Sequence, residues 1–400
     1  MTPHRRRLGA ALVLSAAVAA AASPSPAAAA PIAGSYIVTL SSGDPGAVSA
    51  EHARRAGASI DHVYRHALRG YAAHMSATAA QRIAADARVQ SVVQDQSVSI
   101  DAQTLPFGVD RIDGELSSTV AGNGSGAVNA DIAIIDTGIN RTHPDLNVVG
   151  GVNCSTGKSY EDGNGHGTHV AGTAAAKDDA IGVVGVAPGA RLWAVRVLNN
   201  AGSGSWSSII CGVNWVTARA STIEVANMSL GGTGSAGSCS DGGMRQAICS
   251  STAAGISYAV AAGNESDDAK NHVPAAYPEV ITVSALADFN GLPGGLGAAT
   301  CRADLDDTLA DFSNFGADVD VIAPGVCILS TWKGGGYNTI SGTSMAAPHV
   351  AGAAALYKSA NPTATPNQVK TALQNAGNLG WNAAGDPDGI QERLLNVDPF

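Results

Sequence analysis

The sequence predicts an α/β protein: a doubly wound, mostly parallel sheet, preceded by a small α+β domain. Three observations predict it. Apolar runs of strand length recur after residue 130, separated by stretches with helical starts, as expected of strands buried on both faces. Glycine is abundant (48 of 400 residues) and aromatics make up only 4%, which suits tight turns and close packing rather than a fibre or a disordered chain. Before residue 101 the order of patterns differs, β-α-β-β-α-β, the ferredoxin-like split motif.

Taken from the N-terminus, Arg5, Arg6 and Arg7 precede an apolar stretch from Leu8 to Ala22, and Ala27 to Ala30 offer small-residue cleavage sites. This reads as a secretory signal over 1–30. The apolar run is shorter than the ~20 residues that a membrane-spanning helix needs, and no later stretch is long enough. The expectation is a secreted, extracellular protein with no membrane attachment after the signal is removed. Residues 31–101 form the small domain. Ser35–Leu40 reads as a strand, Ala47–Ala56 as a helix, Ile60–Met75 as one or two strands, Ala77–Ala87 as a helix capped by Ser76, and Val89–Ile100 as a last strand. Residues 102–400 form the large domain. Its expected strands are Asp131–Ile135, Arg191–Leu198, Val225–Leu230, Ile256–Ala261, Val280–Ala285 and Val319–Ile322, with helices starting near His166, Trp206, Gly242 and Ser344. In doubly wound sheets ligands bind beyond the carboxyl ends of strands. Asp136 sits at such an end, and His166 and Ser344 sit at helix starts, which puts all three on one rim.

Charge narrows the partners. The chain holds 23 basic and 33 acidic residues; the first 101 hold nine arginines and six acids, leaving 14 against 27, a net of −13. Such an acidic body argues against nucleic acid and is compatible with binding cations. The six cysteines, Cys154, Cys211, Cys239, Cys249, Cys301 and Cys327, include no CxxC pair, so zinc and thioredoxin-like readings are poor. An even count behind a signal favours disulfides over buried thiols. Fifteen connectivities are open. Sequential pairing is the working choice, since Cys239 and Cys249 bracket one short loop-helix segment.

Three segments carry the chemistry: Asp131 to Gly138 (DIAIIDTG), His166 to Gly172 (HGTHVAG) and Gly342 to Pro348 (GTSMAAP). They supply an acid, a base and a hydroxyl. A serine hydroxyl is a weak nucleophile; it needs a base within reach and a third group to orient that base. A carboxylate ending an apolar strand, as Asp136 does, is costly unless paired, and His166 supplies the partner. His169 and His349 read as packing residues. Metal chemistry at His166 and His169 lacks the HExxH pattern. The order Asp136, His166, Ser344, with gaps of 30 and 178 residues, resembles that of the subtilisin-like serine peptidases.

That resemblance extends over about residues 35–398. It implies a subtilisin-like fold and a secreted serine endopeptidase that works through an Asp-His-Ser triad and an acyl-enzyme, cutting protein and peptide substrates. Residues 31–101 resemble the inhibitory propeptide of such enzymes, so the chain is expected to be a self-processing zymogen with its own propeptide as inhibitor. Gln103 to Gly108 (QTLPFG) resembles the start of a mature chain, placing maturation near Ile100 to Gln103. Asn264, in Val260 to Glu265 (VAAGNE), resembles the oxyanion residue. Ser229, Leu230 and Gly231 resemble the strand lining the main specificity pocket, and Gly202, Ser203 and Gly204 the opposite edge strand; Trp206 matches an aromatic over a further pocket, or is a buried helix-start residue. The pocket shows no fixed acid beyond Glu265, so broad specificity with apolar or aromatic preference is expected, from a monomer. The loop Thr173 to Val183 resembles the family's calcium loop. The resemblance implies a structural calcium ion (Ca2+) held by the side chains of Gln103, Asp145 and Asp179 and the carbonyls of Lys177, Ile181 and Val183, six oxygens for a hard cation. Asp179 departs from the amide common there. The plain alternative is a solvated acidic turn made by Asp178 and Asp179.

Two competing classes fare worse. An α/β-hydrolase needs GxSxG with the acid and histidine after the serine; position 346 is Ala, and the only later histidine is His349. A binding protein on the same fold would usually lack a triad member, and all three are present.

Overall fold

The computed structural model describes residues 31–96 and 103–400. The expected signal segment, and the residues before Gln103 where maturation is expected, lie outside the described residues. The chain divides into two compact units between Ile100 and Asp101.

The smaller unit runs β1 (Pro31–Leu40), α1 (Pro45–Ala56), β2 (Ser59–Tyr64), β3 (Gly70–His74), α2 (Ala77–Ala84) and β4 (Val89–Gln96). Its four strands form an antiparallel sheet in the order β2-β3-β1-β4. Asp44 caps α1 by accepting from the Ala47 N–H at 2.9 Å, and Ser76 caps α2 through the Ala79 N–H at 3.2 Å, each satisfying a donor the helix leaves open. Val38, Tyr71, Ala79, Ala80 and Ile83 close the core.

The larger unit is the α/β body. Its sheet has eight strands: β5 (Asp131–Asp136), β6 (Val148–Asn153), β7 (Arg191–Arg196), β8 (Val225–Met228), β9 (Ser257–Ala261), β10 (Ile281–Ala287), β11 (Thr308–Leu309) and β12 (Val321–Pro324). The order is β11-β10-β9-β8-β5-β7-β6, and β12 also pairs with β10. Every pairing is parallel except β10 with β11. The helices are α3 (His166–Ala175), α4 (Trp206–Thr217), α5 (Gly243–Ala253), α6 (Thr343–Ala360) and α7 (Pro366–Ala376). Ile132 and Ile134 of β5 pack into a core shared with α3 and α6, whereas Ala133 and Ile135 join one shared with α4 and α5. Alternate residues of one strand thus feed two cores, the signature of a sheet covered on both sides.

Alpha-3 and α6 pack closely because Gly352 faces α3: a Cβ there would lie 2.8 Å from the Ala174 carbonyl oxygen. The six cysteines form three disulfides, Cys154–Cys211, Cys239–Cys249 and Cys301–Cys327. Among the described residues no helix is long and apolar enough to cross a membrane. Absent from the sequence reading are the edge strands β6 and β11, the hairpin of β13 (Ile328–Trp332) with β14 (Gly336–Ile340), and α7. Alpha-7 does carry a start signal, since Thr365 and Gln368 form a reciprocal capping box.

Candidate active site

Beta-5 is central in the sheet and buried at all six positions. Asp136 ends it, and its side chain is 0% exposed. Both carboxylate oxygens lie against Nδ1 of His166, at 2.8 and 2.9 Å, and Oδ1 also accepts the Thr137 N–H at 2.6 Å. The His166 ring is 27% exposed. With Nδ1 committed to Asp136, Nε2 is the ring atom left for chemistry. Burial lowers the proton affinity of His166; the Asp136 charge and hydrogen bond, with the charge of Asp162, together raise it more, and its pKa ends above the usual 6.5.

The N-terminus of α3 is built to hold that ring. Gly167 lies where a Cβ would come within 2.1 Å of the Gly138 carbonyl oxygen and 3.1 Å of Asp136 Oδ1, so only glycine lets the helix approach the strand end. The sequence reading missed Asp162. Buried at 4% exposure, its carboxylate accepts from Thr137 Oγ1, from the N–H groups of Asn164, Gly165 and Thr168, and from Thr168 Oγ1, at 2.6 to 2.9 Å. It ties the β5 end and the first turn of α3 together. An acid just before a helix start is a legible cap signal, masked here by the glycines around it.

Ser344 lies in the first turn of α6. Its Oγ donates to the Ser229 carbonyl at 3.4 Å, and the Ser229 hydroxyl donates to the Ser344 carbonyl at 2.7 Å. Asn264 Oδ1 accepts from Thr343 N at 2.8 Å and Thr343 Oγ1 at 3.0 Å. That fixes the amide and leaves its NH2 without a protein partner among the described residues. Asn264 and Ser344 line a small cavity of about 140 Å³, with Leu230, Gly231 and Ala262 among its other walls. Leu230 and Gly231 also border a larger cleft of about 710 Å³ that contains His166, Gly202, Ser203, Gly204 and Trp206. Trp206 is 40% exposed, on the cleft and not buried. Glu265, the one acid near the small cavity, is bonded by Asn314 Nδ2 at 2.8 Å. His169 and His349 are buried and bonded to the carbonyls of Ile328 and Met345; burial pushes them down to about 3 and about 4, so both are neutral packing groups.

Away from this rim, the six expected calcium ligands come from one neighbourhood. Gln103 Nε2 donates to the carbonyls of Lys177 (2.8 Å) and Val183 (3.4 Å). Asp145 Oδ2 accepts the Val183 N–H at 3.0 Å, and Asp179 Oδ1 the Ile181 N–H at 2.9 Å. Two buried acceptors are left without partners, Gln103 Oε1 and Asp145 Oδ1. Orphaned oxygens, with no nitrogen or sulfur ligand among them, fit a hard cation. The solvated-turn alternative does not hold for Asp178, which is buried and accepts the N–H groups of Gly122 and Gly124 at 2.9 and 2.8 Å.

Residues 128–391 match the family model described as Subtilase family, and residues 35–101 that described as Peptidase inhibitor I9. The chain is 44% identical over 284 residues to subtilisin DY of Bacillus licheniformis, covering 70% of this chain and 94% of that protein. It is 41% identical over 310 residues to subtilisin E of Bacillus subtilis (strain 168), covering 76% and 74%. A crystal structure of a cold adapted subtilisin-like serine proteinase superposes with a TM-score of 0.60 at 36% identity, covering 73% of this chain and 98% of that one.

Proposed function

Because the chain belongs to the subtilase family, and is a serine-type endopeptidase made with an inhibitor I9 domain, we propose that Asp136, His166 and Ser344 are its catalytic triad. Ser344 Oγ attacks the scissile carbonyl while His166 Nε2 takes its proton. The new C–O bond forms, the C–N bond breaks, and the same proton passes to the departing amine. Water then repeats the sequence on the acyl-enzyme and frees the acid. Asp136 holds the imidazole in one tautomer and stabilises imidazolium. The Asn264 amide and the Ser344 N–H receive the oxyanion. The observation that carries this reading is the bond between a fully buried carboxylate and His166 Nδ1.

Substrate lies extended between Gly202-Ser203-Gly204 and Ser229-Leu230-Gly231, as an added strand whose backbone gives affinity and whose side chains enter pockets. Small apolar walls in the inner cavity, and a Glu265 already bonded to Asn314, favour broad cleavage after apolar or aromatic residues. Residues 1–30 direct secretion, 31–101 inhibit and then leave by self-processing, and 102–400 act outside the cell as a monomer. Gln103, Asp145 and Asp179, with the carbonyls of Lys177, Ile181 and Val183, hold a calcium ion that stiffens the N-terminus of the mature chain.

A fluorophosphonate probe tests the centre. Intact mass should show one adduct per mature chain, mapped to Ser344, and none on Ser344→Ala, which should also stay unprocessed. Casein hydrolysis by the Ser344→Ala protein would sink the assignment.

A further inference from the structure

The Cys301–Cys327 disulfide touches the segment that carries the nucleophile, and the mechanism above does not use it. Beta-14 ends at Ile340, which pairs with Ile328 of β13. One residue beyond that pair the ladder continues through a side chain: Ser341 Oγ accepts the Cys327 N–H at 2.9 Å. The same hydroxyl lies 3.7 Å from Cys301 Sγ. A disulfide sulfur carries no hydrogen, so Ser341 is the donor in that contact. The Gly342 N–H then donates to the Gly325 carbonyl at 2.8 Å. The chain just before Ser344 is thus held to the turn 325–327, which joins β12 to β13.

That segment needs holding. Gly342 has φ +155° and no Cβ to restrict it, which makes it a pivot two residues before the nucleophile. Asn264 fixes the chain after the pivot, through Thr343. Ser341 fixes the chain before it. The turn that receives Ser341 is itself unusual. Cys327 stands at φ +54°, which is uncommon for a residue with a side chain. Such residues persist where their surroundings over-determine them, and they gather at functional sites. The disulfide is part of those surroundings. Its other end, Cys301, belongs to 288–305, a stretch without helix or strand. Two buried acids anchor that stretch. Asp306 accepts the N–H groups of Phe289 and Gly297, and Asp307 those of Gly294 and Gly295. Asp307 is in turn paired to Arg111 at 2.7 Å. The covalent link passes this anchorage to Cys327, and Cys327 passes it to Ser341.

We propose that Ser341, fastened by the Cys301–Cys327 disulfide, is a positioning residue for the peptidase reaction. It fixes the near side of the Gly342 pivot, independently of Asn264, and so sets where the Ser344 hydroxyl and N–H stand. The proposal rests on Ser344 being the nucleophile. A shift of about 1 Å at a reacting group can cost about a hundredfold in rate. The strands expected to bind substrate, Gly202–Gly204 and Ser229–Gly231, keep their places, so the loss should fall on kcat and spare KM.

Kinetics on a chromogenic peptide, with active centres counted by the fluorophosphonate probe, test it. Ser341→Ala keeps the disulfide and should lower kcat by roughly tenfold with KM little changed. Ser341→Thr returns a hydroxyl and should recover most of that loss. Cys301→Ser with Cys327→Ser should lower kcat by roughly ten- to a hundredfold. Cys239→Ser with Cys249→Ser is the control. It opens a short loop closed onto α5, and should lower the melting temperature while keeping kcat. An unchanged kcat in Ser341→Ala, or an equal loss in the two disulfide variants, would overturn the proposal. Should the Cys301 and Cys327 double variant fail to fold, the Ser341 pair decides: full kcat in Ser341→Ala, or no recovery in Ser341→Thr, refutes it. A probe adduct on a residue other than Ser344 would sink the triad itself, whereas undiminished turnover at a labelled Ser344 would sink this proposal alone.

Discussion

His166 presents Nδ1 to both oxygens of Asp136, at 2.8 and 2.9 Å, so the ring cannot rotate without losing two contacts to a side chain that water does not reach. Asp136→Asn keeps the shape but offers one acceptor and one donor, which favours the wrong tautomer. Turnover should fall by about 10⁴ with KM little changed, a magnitude that comes from subtilisin and chymotrypsin-type triads and not from this geometry. Steady-state kinetics on a chromogenic peptide checks it; a loss below tenfold would remove Asp136 from the triad.

The same contact sets the pH profile. His166 must be neutral to accept the serine proton, and its pKa is raised. The acid limb of kcat/KM should therefore lie above pH 6.5, and activity should rise as pH climbs through it. Stability runs the other way. Charged His166 is favoured in the folded protein, so its contribution is full below about pH 6.5 and is lost as pH rises through the folded value. In Asp136→Asn the residual acid limb should move down. A limb at the same pH in both proteins would show that another group controls it.

Asp162 acts through its neighbours and touches no substrate. Five donors converge on its carboxylate, and Asp162→Ala would leave several of them buried and unsatisfied. The expected cost is roughly 3 kcal/mol of stability, together with a fall in kcat that exceeds any change in KM, because the first turn of α3 aims His166. Urea unfolding of the catalytically silent Ser344→Ala background isolates the stability effect, and kinetics in the active background the positional one. Full activity with lost stability would make Asp162 a structural cap alone.

What was legible in the sequence follows from where physical constraint is local. Beta-5 is buried on both faces, so Ile132 to Ile135 reads as an unbroken apolar run, with a buried carboxylate at each end: Asp131 paired to Arg191 and Asp136 to His166. Gly167 beside His166 is demanded by close approach to the Gly138 carbonyl, and Gly165 and Gly342 by positive φ of +116° and +155°, which makes those segments conspicuous. Asp162 was legible at most as a masked helix cap; its bond to Thr137, which ties the helix start to β5, depends on the fold. Beta-6 was missed because an edge strand with two glycines, Gly150 and Gly151, carries no alternation. Gly151 is required there because a Cβ would meet the Ala194 carbonyl oxygen at 2.2 Å, a constraint imposed by β7 and not by its own neighbours.

Calcium removal should destabilise the protein through the site around Gln103, where Gln103 Oε1 and Asp145 Oδ1 lack partners. Saturating that site to about 100 times its Kd stabilises the fold by about 2.7 kcal/mol, so EDTA should lower the melting temperature and speed autolysis. Asp145→Ala should remove one bound ion and erase the part of the difference between calcium and EDTA that this site supplies. Elemental analysis with parallel thermal melts decides the matter: an unchanged ion count in Asp145→Ala, or a melting temperature that still responds to calcium as the parent's does, removes calcium from this site.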